Sequence, residues 1–244
     1  MKVIVTENYD ESCKVTASLI ADVIKKDPNA KLGLATGGTA EKVYPYLVKA
    51  YKDGEISFKG VSTVNLDEYM GIDPSSPQSY KNYMNNLLFS GIDIDLANTY
   101  VPSGKNAAED EIKTFNEKLA GKQLDIQLLG VGVSGHIGFN EPGEHLVAGV
   151  HIEKLDESTI EANSRFFEKK EDVPTTSITM GVGDIMKAKK IVLIATGDNK
   201  APALKKLLLD DEVTTKVPCT VLKMHNDATI VIDKALADKV GYKY

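Results

Sequence analysis

Short apolar runs alternate with longer amphipathic stretches along most of the chain. Runs of strand length lie at residues 3–6, 32–36, 61–66, 99–101, 124–129, 190–196, 219–224 and 229–232. Between them, apolar residues recur every three or four positions, which predicts helices at residues 10–26, 40–51, 78–89, 107–120, 181–188 and 200–209. This alternation is typical of a mostly parallel sheet with helices on both faces. The pattern therefore predicts an α/β fold, a single three-layer Rossmann-like domain over residues 1–244.

Residues 150–178 are the exception, because they show no clear period and mix polar, charged and aromatic positions. A segment of this kind beside a site is often a mobile lid. A plain connecting segment is the alternative. We therefore treat residues 150–178 as a candidate lid, with both interpretations open.

Several predicted strands end in polar loops, and parallel strands bring their carboxyl ends to one edge of a sheet. The most distinctive loop is Gly130–Gly143, which is rich in glycine and follows a buried run. It contains His136 and Glu141, which are candidates for an acid–base pair. A single histidine is more often structural. His136, however, lies between glycines, which favours a backbone shaped around the ring.

The strand predicted at residues 61–66 ends in two adjacent acids, Asp67 and Glu68. A carboxylate at a strand end can act as a base when it is partly desolvated. A helix cap or a salt bridge is the alternative for either acid.

Three features are candidates for binding an anion. The loop after the second predicted strand combines backbone N–H groups with threonine hydroxyls, which suits a phosphate; its residues are Thr36, Gly37, Gly38 and Thr39. Lys200 lies at a predicted helix N-terminus, where a bound anion would offset the unfavourable helix dipole. Arg165 precedes two aromatic residues and could hold a phosphate by two parallel hydrogen bonds. The alternatives are a tight turn, a solvated lysine and an arginine that caps a helix end.

Composition narrows the class of protein. The chain has 29 basic and 35 acidic residues, a net charge of −6 and no basic cluster that would mark a nucleic-acid surface. No apolar run reaches membrane length and no signal sequence is evident, so we expect a cytoplasmic protein that binds neither nucleic acid nor membrane. Cys13 and Cys219 fit buried thiols in a reducing compartment. The loops match no nucleotide-binding fingerprint and hold no Cys or His cluster, so we predict no cofactor and no metal ion.

Six stretches together resemble the glucosamine-6-phosphate deaminase family, within the sugar-phosphate isomerase and deaminase superfamily. They are L-A-T-G-G-T (34–39), V-N-L-D-E-Y-M-G (64–71), Q-S-Y (78–80), L-L-G-V-G-x-x-G-H-I-G-F-N-E-P-G (128–143), S-T-I-x-A-N-S-R-F-F (158–167) and S-I-T-M-G-V (177–182). They span most of the chain in the family's order, and G-H-I-G-F-N-E-P together with N-L-D-E-Y is highly specific. The chain is similar in length to the shorter bacterial members, which implies a monomer or a small homo-oligomer.

The resemblance implies conversion of glucosamine 6-phosphate and water to fructose 6-phosphate and ammonia, without a cofactor. By this resemblance His136, assisted by Glu141, opens the sugar ring, and Asp67 then moves a proton from C2 to C1. The remaining candidates would hold the phosphate, namely Thr36, Gly37, Gly38, Thr39, Arg165 and Lys200.

Ser134 departs from the family pattern, because Asp or Asn usually stands two positions before the histidine. A serine can hydrogen-bond but carries no charge, so we expect His136 to depend more on Glu141. Ala40 and residues 226–227 stand where the family usually has proline, and neither change removes a residue that the resemblance makes essential.

Two other functions are open at this point. A 6-phosphogluconolactonase-like hydrolase also uses a G-x-x-G-H loop, but that family lacks the F-N-E-P continuation and the N-L-D-E-Y strand end. A non-catalytic sugar-phosphate sensor would keep the fold and lose the chemistry, with Ser134 as the first sign of that loss. Against the sensor, Asp67, His136 and Glu141 are all present.

Overall fold

The computed structural model describes residues 1–244, which form ten strands and eight α-helices. The strands are β1 (Lys2–Thr6), β2 (Lys31–Leu34), β3 (Ser62–Asn65), β4 (Asp67–Tyr69), β5 (Thr99–Tyr100), β6 (Ile126–Leu129), β7 (His151–Lys154), β8 (Thr176–Thr179), β9 (Ile191–Ala195) and β10 (Ala228–Asp233). The helices are α1 (Tyr9–Lys26), α2 (Tyr44–Lys52), α3 (Tyr80–Leu87), α4 (Ala108–Leu119), α5 (Glu157–Asn163), α6 (Val182–Ile185), α7 (Ala201–Leu208) and α8 (Lys234–Val240).

Seven strands form one parallel sheet in the order β1-β10-β9-β6-β2-β3-β5. Every residue of β9 is at most 1% exposed. Since successive side chains of a strand point to opposite faces, helices must cover this sheet on both sides. The predicted α/β class with a mostly parallel sheet is confirmed. That residues 1–244 form a single domain stays a prediction.

The segment at residues 150–178 is more regular than its sequence predicts. Its two ends are the antiparallel strands β7 and β8, which join β4 in a second sheet of order β4-β8-β7. In this sheet Thr179 of β8 is paired with Asp67 on one side and His151 on the other. Strands of four residues are too short to show a clear period in sequence. The middle of the segment holds α5 and two short 3-10 helices, Ser164–Phe166 and Lys170–Asp172. Its motion as a lid stays a prediction.

The strand predicted at residues 219–224 is wrong, because Pro218–Met224 forms a 3-10 helix. Short apolar runs are ambiguous between strand and helix. Here Pro218 has no N–H to give a sheet, and the N–H of Cys219 donates to the carbonyl oxygen of Gly135 at 2.8 Å. Cys219 and Cys13 are both buried and unpaired. Helix α8 was not predicted.

The glycine-rich loop Gly130–Gly143 is fastened to the segment at residues 214–220 at two further points. The N–H of Gly143 donates to the carbonyl oxygen of Thr215 at 3.2 Å, and the Thr215 hydroxyl donates back to the Gly143 carbonyl at 2.8 Å. A Cβ on Gly135 would lie 2.6 Å from Val217 Cγ1 and 3.4 Å from its Cα, so the two segments pack closely there. Elsewhere, no helix is both long and apolar enough to span a bilayer.

Candidate active site

The carboxyl ends of β2, β3, β6 and β9 open into one cleft of about 850 Å³, its mouth included. Eight of the residues predicted for a site line this cleft, namely Thr36, Gly37, Gly38, Thr39, Asp67, His136, Arg165 and Lys200. Ser134 and Glu141 lie directly behind His136 and contact its ring. The fold therefore brings all ten predicted residues together, although they come from five separate stretches of sequence.

One nitrogen of the His136 ring is held by three side chains. Its Nδ1 lies 3.0 Å from Glu141 Oε2, 3.1 Å from Ser134 Oγ and 3.3 Å from Thr159 Oγ1. Burial alone would raise the pKa of Glu141, but the hydrogen bond and charge of His136 outweigh it and lower that pKa. An ionised carboxylate can only accept, so Nδ1 carries the proton and Nε2 is left as an acceptor towards the cleft. Sequence reasoning missed Thr159, which is 23 residues away in the chain.

The ring of His136 rests against Gly132. A Cβ on Gly132 would lie 2.2 Å from Cε1 and 2.3 Å from Nε2 of the histidine, so only glycine fits at this position. Gly130, two residues earlier in the same loop, has open space where a Cβ would be. Gly132 is therefore required for the position of the histidine ring, whereas Gly130 is not, and the sequence alone does not distinguish the two.

The adjacent acids Asp67 and Glu68 point in opposite directions from β4. Asp67 lines the cleft, and burial, followed by the nearby charge of Glu68, raises its pKa to about 8. Glu68 accepts hydrogen bonds from the Ser79 hydroxyl at 2.8 Å and from the N–H of Tyr80 at 2.9 Å, at the start of α3. The helix-cap alternative therefore holds for Glu68 and not for Asp67. Strand alternation separates the two roles.

The glycine-rich loop passes close to Asp67. The N–H of Phe139 donates to Thr179 Oγ1 at 3.1 Å, and Thr179 is the β8 partner of Asp67. Gly138 has a φ of +57°, and a Cβ there would lie 3.0 Å from Thr179 Oγ1 and 3.5 Å from Asp67 Oδ2. The loop therefore helps to cover Asp67 from solvent.

The loop at residues 36–39 offers unpaired hydrogen-bond donors. None of its four backbone N–H groups donates to an acceptor within the protein. The prediction that a helix follows directly is wrong, because α2 begins only at Tyr44. The free donors therefore belong to a turn, with Gly37 at a φ of +92°. Successive free N–H groups in such a turn form a concave anion site.

Two cations face this loop. A Cβ on Gly38 would lie 3.4 Å from the guanidinium of Arg165, which also stacks 4.7 Å from the ring centre of Phe166. Burial, followed by the charge of Arg165, lowers the pKa of Lys200 to about 8. Neither cation lies within ion-pair distance of a carboxylate. Arg165 caps no helix carbonyl, so the structural alternative for it is wrong. Two unpaired cations beside free N–H groups are suited to a phosphate.

Together, the fold and this cleft define a class of sugar-phosphate enzymes. The chain belongs to the family described as glucosamine-6-phosphate isomerases/6-phosphogluconolactonase, whose pattern matches residues 6–231. The family resemblance predicted from sequence is confirmed.

Proteins named as deaminases are much more similar to this chain in sequence than those named as 6-phosphogluconolactonases. A glucosamine-6-phosphate deaminase of Clostridium perfringens (strain 13 / Type A) is 47% identical over 239 residues, which is 97% of this chain and 98% of that protein. The solved structure of a monomeric glucosamine-6-phosphate deaminase superposes with a TM-score of 0.93 at 39% identity, covering 98% of this chain and 100% of that one. The 6-phosphogluconolactonase from Trypanosoma brucei reaches a TM-score of 0.77 at 19% identity over 98% of each chain, so it shares the fold alone.

Proposed function

We propose that this protein converts glucosamine 6-phosphate and water to fructose 6-phosphate and ammonia. The observation that carries the proposal is one cleft that holds an anion cradle, a buried carboxyl group and a histidine oriented by a carboxylate. The similar proteins named glucosamine-6-phosphate deaminase support the same activity.

His136 would open the sugar ring. Its Nε2 takes the proton of the anomeric hydroxyl, the bond between C1 and the ring oxygen breaks, and a proton passes to that oxygen to leave an open-chain aldehyde. Glu141 stabilises the imidazolium that forms between these two transfers. Ser134 and Thr159 hold the same ring nitrogen and fix the plane of the imidazole.

Asp67 would then act on the open chain. Its carboxylate removes the proton at C2, the electron pair forms a C1–C2 double bond, and the aldehyde oxygen takes a proton, which gives an enolamine. Return of the proton to C1 produces an imine at C2. Water adds to C2 and ammonia leaves, which gives the ketose. Once ionised, a carboxyl group whose pKa is raised to about 8 is a stronger base than an ordinary aspartate, and its ionised fraction grows as the pH approaches 8.

The phosphate would be bound in the same cleft by the 36–39 loop, Arg165 and Lys200. Its binding energy is available to hold C1 and C2 over Asp67, because the phosphate itself takes no part in the reaction.

The test is release of ammonia from glucosamine 6-phosphate by the purified protein without an added cofactor. We expect turnover with stoichiometric fructose 6-phosphate. Tight binding of the sugar phosphate without release would contradict the proposal and favour a sensor. Hydrolysis of 6-phosphogluconolactone in place of deamination would favour the lactonase alternative. No feature of the cleft specifically supports that alternative.

We further propose that residues 1–244 act as one domain in the cytoplasm, as a monomer or small homo-oligomer. The buried, unpaired thiols of Cys13 and Cys219 fit a reducing compartment. The solved relative described as monomeric supports the low oligomeric state.

Replacing Gly132 with Ala should lower kcat by about 100-fold, because the added methyl group must displace the His136 ring, and misplacement by about 1 Å can cost that much. Gly130→Ala is the matched control, since a Cβ there meets nothing within 4 Å, and we expect a much smaller loss. Steady-state kinetics of both variants make the comparison. Equal losses would remove the histidine contact as the cause.

Replacing Glu141 with Gln should lower kcat far more than replacing Ser134 with Ala. Glutamine carries no charge to stabilise an imidazolium, and we expect a loss of about 100-fold or more. Ser134→Ala leaves the 3.0 Å contact between Glu141 and Nδ1 intact, so we expect a loss below about fivefold. Similar losses in the two variants would show that the serine carries as much of the support as the carboxylate.

A further inference from the structure

Three tyrosine hydroxyls donate hydrogen bonds to backbone carbonyls of residues 35–39, the segment that contains the proposed phosphate-binding loop. Tyr83 of α3 donates to the carbonyl oxygen of Gly37 at 2.9 Å. Tyr9, the first residue of α1, donates to the carbonyls of Thr39 at 2.7 Å and Gly38 at 3.2 Å. Tyr44, the first residue of α2, donates to the carbonyl of Ala35. Burial raises the pKa of all three phenols, so each stays protonated and able to donate.

These contacts fix the direction of the N–H groups on the other side of the loop. A trans peptide is planar, so its carbonyl and its N–H point in opposite directions. The hydroxyl of Tyr83, together with the N–H of Glu41, which donates to the same Gly37 oxygen at 3.2 Å, therefore fixes the N–H of Gly38. In the same way, the Tyr9 contact with the Gly38 carbonyl fixes the N–H of Thr39.

The loop needs such support because its sequence permits the opposite arrangement. The peptide between two glycines can flip between turn types at little steric cost, and Gly37 already has a positive φ. A flipped Gly37–Gly38 peptide would turn a carbonyl oxygen, in place of an N–H, towards the bound phosphate. That oxygen would repel the anion.

We infer that Tyr9 and Tyr83 are positioning residues for the substrate phosphate, acting through the backbone of residues 37–39 without touching the ligand. This inference rests on the proposed function only in the identity of the substrate. The chemistry that it assigns is recognition of a phosphate dianion by backbone donors held in one orientation.

The test compares Tyr83→Phe and Tyr9→Phe with a matched control, Tyr46→Phe. The hydroxyl of Tyr46 bonds to Asp10 at the surface and not to the loop. Calorimetry with inorganic phosphate measures the cradle directly and does not depend on turnover, while KM and kcat for glucosamine 6-phosphate separate binding from chemistry. Melting temperatures show that each variant is folded.

We expect each loop variant to bind phosphate about tenfold more weakly and to raise KM by a similar factor, with kcat nearly unchanged. The double variant should lose more than either single one, because the two hydroxyls hold different carbonyls. The Tyr46 control should match the wild type.

Wild-type phosphate affinity in folded Tyr83→Phe and Tyr9→Phe would overturn the inference. So would a loss that appears in kcat and spares KM and phosphate binding. If the wild type released no ammonia, the proposed function would fail, but the phosphate affinities would still decide whether the tyrosines orient the cradle.

Discussion

Replacing Asp67 with Asn should abolish ammonia release and at the same time make the protein more stable. Asparagine cannot accept the proton from C2, so we expect turnover to fall by about 10³-fold or more. Binding of the sugar phosphate should persist, because the phosphate contacts lie elsewhere in the cleft. Single-turnover ammonia release and calorimetric binding measure the two effects separately. A variant that kept near-full activity would remove Asp67 from the role of base.

The gain in stability follows from the raised pKa of Asp67. Well below pH 3.8 the carboxyl group is protonated in both the folded and the unfolded state, so it contributes nothing. Between its ordinary pKa of 3.8 and about 8, the unfolded state ionises while the folded state keeps its proton. Stability is therefore lost progressively as pH rises through this window, up to about 6 kcal/mol at roughly 1.4 kcal/mol per pKa unit.

Asparagine does not titrate, so the advantage of the Asp67→Asn protein should grow from pH 4 to pH 8 and then level off. Urea unfolding at several pH values measures it. Asp125→Asn is the control of opposite sign, because the pKa of Asp125 is lowered by its bonds with Lys189, the Lys31 N–H and Lys122 despite partial burial. That variant should be less stable than the wild type above pH 4. A pH-independent gain in the Asp67→Asn protein would contradict the burial argument.

Replacing Arg165 with Met should raise KM for glucosamine 6-phosphate by about 100-fold at neutral pH. The variant loses a cation that pairs with no carboxylate of the protein and is free to bind the phosphate with two hydrogen bonds. We expect kcat to change much less. Arg165→Lys keeps the charge but loses the planar guanidinium, so its KM should lie between those of the wild type and Arg165→Met. An unchanged KM would remove Arg165 from the phosphate site.

The same substitution should also move the alkaline limit of binding. In the wild type, Lys200 is charged below about pH 8 and neutral above it, so affinity for the phosphate should fall as pH rises through that value. Burial and the charge of Arg165 both lower this pKa, and only the second cause disappears in Arg165→Met. The fall should therefore begin at a higher pH, as measured by KM across pH 7 to 10. An unmoved limit would mean that Lys200 does not respond to its neighbour.

The sequence is sufficient for the strands of the main sheet and for ten residues that meet at the cleft. Long periodic stretches such as residues 10–26 carry enough apolar positions to define a helix, and the loops at strand ends were expected to meet at one edge. The sequence does not show the direction in which each side chain points. Asp67 and Glu68 are equivalent as letters, and only their opposite placement on β4 makes one a candidate base and the other a helix cap.

Contacts between distant residues were missed for the same physical reason. Thr159 reaches His136 only because α5 packs over the cleft. Tyr9 reaches Thr39 only because α1 begins beside the loop at residues 36–39. The sequence separation of neither pair indicates that its two residues are in contact. The run at residues 219–224 is too short to distinguish a strand from a helix by its period, and the contact of Cys219 with Gly135 has no sequence signature.

The glycine-rich loop is joined to residues 215–219 by two backbone hydrogen bonds and one from the Thr215 hydroxyl, and these bear on how the protein opens locally. Amide hydrogen exchange occurs through units that unfold together, and a loop fastened at Gly135 and Gly143 cannot open while its anchors stay closed. The amides around His136 should therefore exchange at the same rate as that of Cys219. Residues 214–219 do not line the cleft. Substitutions there would then change how often His136 is correctly placed, without altering any residue of the cleft.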